Sequence, residues 1–353
     1  RAVGHPVAGV DYPSTFQALD EWFRDEVACR AYIRRLRWPT GFCCPGCGVV
    51  GEPWEMAGGW LRCRACRRET SITAGTIFEG TRKPLRTWFL AMWFVTSQKN
   101  GVSALGLQRA LGLGSYETSW TWLHKLRRAM VRPGRDHLAG EIEADETYVG
   151  GPEEGKRGRE VESKAIVAVA AEQRGRGIGR IRLRRVKDVS AESLLAFLQE
   201  AVEPGATIHT DGWRGYAGLP AAGYRHQVTV ISGGSEPAHE VMPRVHKVAA
   251  LLKRWLLGTL QGGIQHQHLD DYLDEFTFRL QSASITGPRP PVPPPRPAGG
   301  GHRTGPLPLH HHTQDIRQSP RIGGMKGIPT YSNNSAWRKR IFDIRLVSLD
   351  IAL

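Results

Sequence analysis

DETYVGG at 145–151 and HTDGWRGY at 209–216 decide how this chain folds, because each sets an aspartate at the end of a strand-like run. The first lies within EIEADETYVGG, where Ile142 and Ala144 fall on one face and Glu143, Asp145 and Thr147 on the other. KAIVAVAAE follows, apolar throughout and suited to a central strand, and then IGRIRLRRV, which alternates arginines with Ile181 and Leu183. SAESLLAFLQEAV has helical periodicity with Ser190 as its N-cap, and ATIHTD is a short strand that ends at Asp211 before a turn at Gly212. The order is three strands, a helix, a fourth strand and more helix. If the first and fourth strands lie side by side, Asp145 and Asp211, 66 positions apart, become neighbours. Two carboxylates held together repel unless a cation neutralises them, so the pairing predicts a divalent metal; two unrelated surface aspartates are the alternative.

A second metal signature precedes this region. Of six cysteines, Cys44 and Cys47 form one C-x-x-C pair and Cys63 and Cys66 another, with fifteen residues between the pairs. Four thiolates at this spacing form a closed structural Zn²⁺ site. Disulfides are disfavoured, since a cytoplasmic chain keeps its thiols reduced. Cys29 and Cys43 are left over as plain small residues. Trp54 and the run Trp60-Leu61-Arg62 read as short supporting strands, and Arg62, Arg64, Arg67 and Arg68 as a basic surface for phosphates.

Between the two metal signatures, from Leu85 to Met130, the pattern is helical, with a break at Gly114-Ser115. Three helices with a short turn before the last resemble a helix-turn-helix, the last carrying His124, Lys125, Arg127 and Arg128 toward a groove or backbone. A helical hairpin that merely joins two domains is the alternative. Trp88, Trp93, Trp120 and Trp122 read as core.

The chain has 353 residues, 40% of them hydrophobic, enough for two or three domains with a sizeable core. Its formal charge of +14 attracts a polyanion, with nucleic acid foremost. Half of that excess lies from Gln281 onward, where ten Lys/Arg face three Asp/Glu. No apolar run is long enough to span a bilayer and no signal-peptide pattern opens the chain, so the expected location is cytoplasmic, bacterial and nucleoid-associated. The chain starts at Arg1 rather than methionine, and native residues before it are expected. From Pro288 the sequence holds eleven of the 23 prolines, which predicts a disordered Pro/Arg-rich tail. A frameshift in the gene and a genuine DNA-binding arm both account for it.

The five ordered motifs CPGC…CRAC, SITAGTIFE with LRTWFLAMWF, DETYVGG, HTDGWRGY and LKRWLLGTLQG…HLDDYLDEFTFR cover roughly residues 12–279. Together they resemble the insertion-sequence transposases that join an N-terminal zinc ribbon to an ISXO-type DDE domain. The resemblance implies an α/β fold in which a ribonuclease H-like catalytic domain, a mixed five-stranded sheet with helices, follows the ribbon and a small helical segment. The expected divisions are an N-terminal helical region at 1–40, the ribbon at 41–72, the helical DNA-binding segment at 80–133, the catalytic domain at 140–280 and the tail at 281–353. It also implies binding to the terminal inverted repeats of an element, metal-dependent cleavage, and strand transfer by a homo-oligomer, at least a dimer, on double-stranded DNA.

In this family two aspartates and a third residue hold two metal ions. Asp145 and Asp211 match the first two, and His246 occupies the third position, seven residues before Lys253. Seven residues is nearly two helical turns, so both side chains share a face beside an apolar stripe of Val245, Ala249, Leu252 and Leu256. The family varies at this third position, where histidine is tolerated. A neutral imidazole suits Mn²⁺ better than Mg²⁺. Glu240 or Glu236 is the competing third acid; Glu146 and His209 are supporting residues. Lys253 and Arg254 are placed to hold phosphate, with Lys125, Arg127 and Arg128 as further DNA contacts. A zinc-ribbon regulator without catalysis, a nuclease that cuts but never joins, and a decayed inactive copy are the rival readings.

Overall fold

Short polar caps set where the first helices begin. Thr15 accepts from the Ala18 N–H to open α1 (Phe16–Trp22), and Asp25 from that of Ala28 to open α2 (Glu26–Arg37). The computed structural model describes residues 9–98, 100–131, 134–150, 164–229, 241–260 and 264–284. An antiparallel meander of three short strands follows: β1 (Trp54–Met56), β2 (Trp60–Arg62) and β3 (Glu69–Ser71). Three helices come next, α3 (Leu85–Ser97), α4 (Ala104–Leu111) and α5 (Tyr116–Ala129). Ser103 caps α4, Gly112 ends it in the left-handed conformation, and Ser115 caps α5, so the break read at Gly114-Ser115 is a turn between two helices.

These N-terminal segments share one buried cluster. Phe23 of the α1–α2 connection stacks on Phe89 of α3 at 3.9 Å, with Tyr32 edge-on to both, while Leu61 of β2 and Trp122 of α5 belong to the same core. Trp88 and Trp122 stack at 3.7 Å inside it, which fits their reading as core residues.

The second half is built on a five-stranded sheet of β4 (Glu141–Val149), β5 (Ala165–Arg174), β6 (Gly177–Val186), β7 (Thr207–Thr210) and β8 (Arg225–Val228), in the spatial order β6-β5-β4-β7-β8. β4–β5 and β5–β6 are antiparallel, whereas β4–β7 and β7–β8 are parallel. This mixed order is the ribonuclease H-like sheet, with the first and fourth strands adjacent. β5 is apolar from Ala165 to Ala171 because both its faces are covered there. Ala168 and Ala170 pack under α6 (Ala191–Ala201), while Val167, Val169 and Ala171 pack under α7 (Pro243–Leu260) and α8 (Leu269–Ser284).

Two expectations are corrected here. The buried stripe of α7 is Val245, Val248, Leu252 and Leu256, with Val248 in place of Ala249. The helical fold also does not stop at 280. α8 runs to Ser284, pinned by Gln281, whose side-chain amide donates to Ile181 O at 2.9 Å. Phe276 is buried against the sheet and Phe278 in the N-terminal cluster. The remaining tail, and with it the frameshift and disorder readings, lies outside the described residues.

Candidate metal centres and nucleic-acid surface

Asp145 sits mid-strand, the fifth of nine residues in β4, rather than at a strand end. The β4–β7 register pairs Glu141 with Thr207, Ile142 with Ile208 and Glu143 with His209. Every pair is offset by 66, so the same register carried two residues beyond His209 brings Asp211 opposite Asp145. Asp211 stands just past β7, where its Oδ1 accepts from the Trp213 N–H at 3.0 Å across a turn that needs the positive φ of Gly212 (+82°). Gly215 is equally constrained: a Cβ there would lie 2.8 Å from Leu194 Cδ1 and Val189 O. The glycines of HTDGWRGY thus aim Asp211 and let the turn pack on α6.

His246 comes to Asp145 from the opposite wall. It lies in the first turn of α7, with Nδ1 3.9 Å from Asp145 Oδ2. Glu143, two residues before Asp145 on the same face, fixes that approach. Its carboxylate accepts from the backbone N–H groups of Arg244 (2.7 Å) and Val245 (3.0 Å) and from the Arg244 guanidinium (2.5 Å). A negative charge on orphan N–H groups at a helix start is favourable twice over, by hydrogen bonding and by the helix dipole. The sequence reading gave Glu143 no role, although an acid two positions before Asp145 together with an arginine at the helix start was a usable signal.

The remaining polar groups gather around these three. Tyr216, buried, donates to Glu146 Oε2 at 3.1 Å. Its phenol is held well above the usual range, first by burial and then by the negative charges of Glu146, Asp145 and Asp211. Glu146 is therefore tethered, and His209 pairs with Glu141 at 2.8 Å. Lys253 is exposed as a residue, yet partial burial of its ammonium and the Lys164 charge lower its pKa, while Asp145 acts to raise it. Among the described residues two groups bring their ligand atoms within 4.8 Å of one another, and Asp145, Asp211 and His246 are not one of them. Glu240 and Glu236 lie outside the described residues.

The cysteine quartet is one of those two groups. Cys44 Sγ is 3.6 Å from Cys66 Sγ, and Cys47 Sγ is 3.7 Å from Cys63 Sγ. These separations are far too long for S–S bonds and close to the roughly 3.8 Å edge of a tetrahedron with metal–sulfur bonds of about 2.3 Å. The four sulfurs therefore fit a zinc ion.

Residues 24–69 match the family described as a transposase zinc-ribbon domain, and residues 137–281 match the ISXO2-like transposase domain. The chain carries both domains of an insertion-sequence transposase. It is 27% identical to an uncharacterized protein in transposable element ISH50 of Halobacterium salinarum, over 70% of this chain and 88% of that protein. A viral intasome structure, that of simian T-cell lymphotropic virus in complex with a PP2A regulatory subunit, is matched over 55% of this chain and 76% of that chain. With 16% identity and a TM-score of 0.29, it adds nothing to the fold assignment.

Within the transposase, the basic residues assigned to DNA divide into two sets. Arg127 is corrected: it is 2% exposed, and its Nε pairs with Glu275 Oε2 of α8 at 2.7 Å. It ties the helical segment to the sheet domain through α8 and, being buried, does not face a groove. His124 is buried beside it, against Asp271. Lys125 spends its ammonium on Glu79 O (3.4 Å) and lies 6.0 Å over the Trp88 ring. Arg128, Lys253 and Arg254 are exposed. In the ribbon, Arg64 and Arg67 flank the partly exposed Trp54 ring at 6.0 and 4.7 Å, and Arg68 is exposed nearby, whereas Arg62 is paired with Glu69. Among the described residues no helix is long and apolar enough to cross a membrane.

Proposed function

We propose that this transposase binds the terminal inverted repeats of its own element as an oligomer, cleaves there, and joins the freed 3′ ends to target DNA. The observation that carries the reading is the parallel β4–β7 register, which sets Asp145 against Asp211 while His246 approaches Asp145 to 3.9 Å. Asp145, Asp211 and His246 would hold the divalent ions, and their spread suits a pair of ions about 3.5–4 Å apart better than one caged ion. When bound, such ions activate the attacking oxygen and stabilise the leaving one.

The chain's own residues orient and neutralise. Glu143 fixes the start of α7 and hence His246, Tyr216 restrains Glu146 beside Asp145, and exposed Lys253 and Arg254 meet phosphate next to the acids. In-line displacement of this kind needs positioning and charge neutralisation rather than a protein nucleophile. Zinc in the cysteine quartet organises a ribbon whose exposed Arg64, Arg67 and Arg68 add phosphate contacts, together with Arg128.

The test incubates the full chain with labelled element ends and a target plasmid in Mg²⁺ or Mn²⁺. Joined product, lost in Asp145→Asn and Asp211→Asn, supports transposition. Nicking alone shows a nuclease, binding alone a regulator, and no activity at all a decayed copy. Direct ligation by His246 makes Mn²⁺ the better cofactor; equal rates in both metals would count against it.

A further inference from the structure

A third group of ligating side chains converges where α5 meets the start of α8, apart from both centres above. His124 stands on α5, His268 closes the 3-10 turn His266–His268, and Asp271 lies in the first turn of α8. His268 and Asp271 are three positions apart, so both reach one side of that helix end. Ligand atoms of all three lie within 4.8 Å of one another. His124 Nδ1 is 2.5 Å from Asp271 Oδ2, and the two imidazole centroids are 4.9 Å apart. His124 is only 4% exposed, with Trp120 against both rings at 4.1 and 4.8 Å and Tyr272 at 5.6 Å from His124. A polar cluster walled by aromatic rings holds charge strongly, because water screens it poorly.

The charges around the cluster leave one carboxylate oxygen toward the imidazoles. Burial raises the Asp271 carboxyl, but His124 and Arg128 outweigh it and hold it below the usual range, so it is ionised at neutral pH. Arg128 takes Asp271 Oδ1 at 3.3 Å and is itself largely exposed, which weakens its competition for the oxygen pair. Arg127 reaches to 3.4 Å from His124 Nε2, but its own charge is met by Glu275. Nδ1 of His124 and Oδ2 of Asp271 therefore remain turned to each other, with the His268 ring beside them.

We propose that His124, His268 and Asp271 form a divalent-cation site, for Zn²⁺ or a similar borderline ion, that ties the helical segment to the catalytic domain. Two imidazole nitrogens and one carboxylate oxygen are the open three-ligand set of such an ion, whereas Mg²⁺ and Ca²⁺ favour oxygens. A tetrahedral ion spaces its ligand atoms by about 3.4 Å, so His124 and Asp271 separate by about 1 Å and water takes the fourth position. Capture at Nδ1 moves the ring proton to Nε2, and Arg127 stays with Glu275. A bound ion stabilises the joined domains by mass action.

The experiment uses the full chain with Asp145 and Asp211 both changed to Asn, which silences the site between β4 and α7, and titrates it with cobalt(II). The thiolate quartet gives intense sulfur-to-metal charge-transfer bands, and a nitrogen–oxygen site only weak visible ones. We expect a second equivalent with the weak spectrum, lost in His268→Ala and weakened about tenfold or more in Asp271→Asn. The intact thiolate bands in both variants report that the chain is still folded. A chain that takes only the quartet's equivalent overturns the proposal, and so does a second equivalent that His268→Ala leaves in place. Neither outcome depends on whether the protein cuts DNA.

Discussion

Changing Glu143 tests whether the start of α7 is what sets the candidate catalytic site. Its side chain is 6% exposed and that of Arg244 15%, so the pair is barely screened by solvent. Glu143→Ala removes one charge-assisted bond to the guanidinium and two to backbone N–H groups. Hydrogen bonds to a charged group contribute about 1.5–3 kcal/mol each, but they share one carboxylate and do not add. The broken buried pair sets the total at about 3–5 kcal/mol. Glu143→Gln keeps the shape and one acceptor oxygen for the two N–H groups while turning an amide toward Arg244, so about 1.5–3 kcal/mol is expected. The measurement is the urea midpoint of the zinc-loaded chain for both variants, for Arg244→Ala and for the double variant, whose coupling energy isolates the pair. Cleavage of labelled ends, assayed where Glu143→Gln remains folded, should fall about 100-fold, since a shift of about 1 Å in a positioned group has that effect. A loss under about 1 kcal/mol in Glu143→Ala, or wild-type cleavage by Glu143→Gln, would refute the reasoning.

Three further outcomes follow from the same structure. Arg127→Ala removes one of the two guanidinium partners of Glu275, which is 1% exposed and keeps Arg279, and should cost about 1.5–3 kcal/mol in chemical unfolding, whereas Arg128→Ala should cost less than about 1 kcal/mol. If Arg127 were instead a DNA contact, its loss would weaken binding and spare stability. Burial pushes the Asp274 carboxyl up from 3.8 to about 7, with Arg135 opposing and Asp271 and Asp270 assisting. The folded chain then holds a proton that the unfolded chain has released, so stability falls as pH rises from about 4 to about 7. Asp274→Asn removes the penalty and should stabilise at pH ~8 by up to about 4 kcal/mol while changing little at pH ~4, as read from thermal midpoints at the two values. Cys63→Ser opens the sulfur tetrahedron and should expose the ribbon to limited proteolysis, while the sheet domain around Asp145 stays protected.

What could be read in the sequence was whatever repeats locally or is offset uniformly. Alternation in β4, the doubly apolar β5 and the short run before Asp211 gave the strand order, and the 66-residue offset in the β4–β7 pairing is the distance between the two aspartates. The residues misread are those whose partners lie far along the chain. Arg127 looks like a groove contact because α5 is basic, yet its neutraliser, Glu275, is 148 positions away on α8. Glu143 looks like one more alternating acid until α7 arrives 101 positions later with its unpaired N–H groups. Composition misplaced the start of the tail for the same reason, since Gln281 stays in α8 through a bond to Ile181 O, 100 positions back. Each contact couples α7 or α8 to an earlier element, and these two helices also supply His246, Lys253 and Asp271. Loosening α8 would therefore disturb the candidate sites. The Arg127–Glu275–Arg279 cluster resists that, because Arg279 also donates to Gln98 O and Val95 O at the end of α3. The catalytic reading thus rests on a helix anchored at both its sheet face and its N-terminal-domain face.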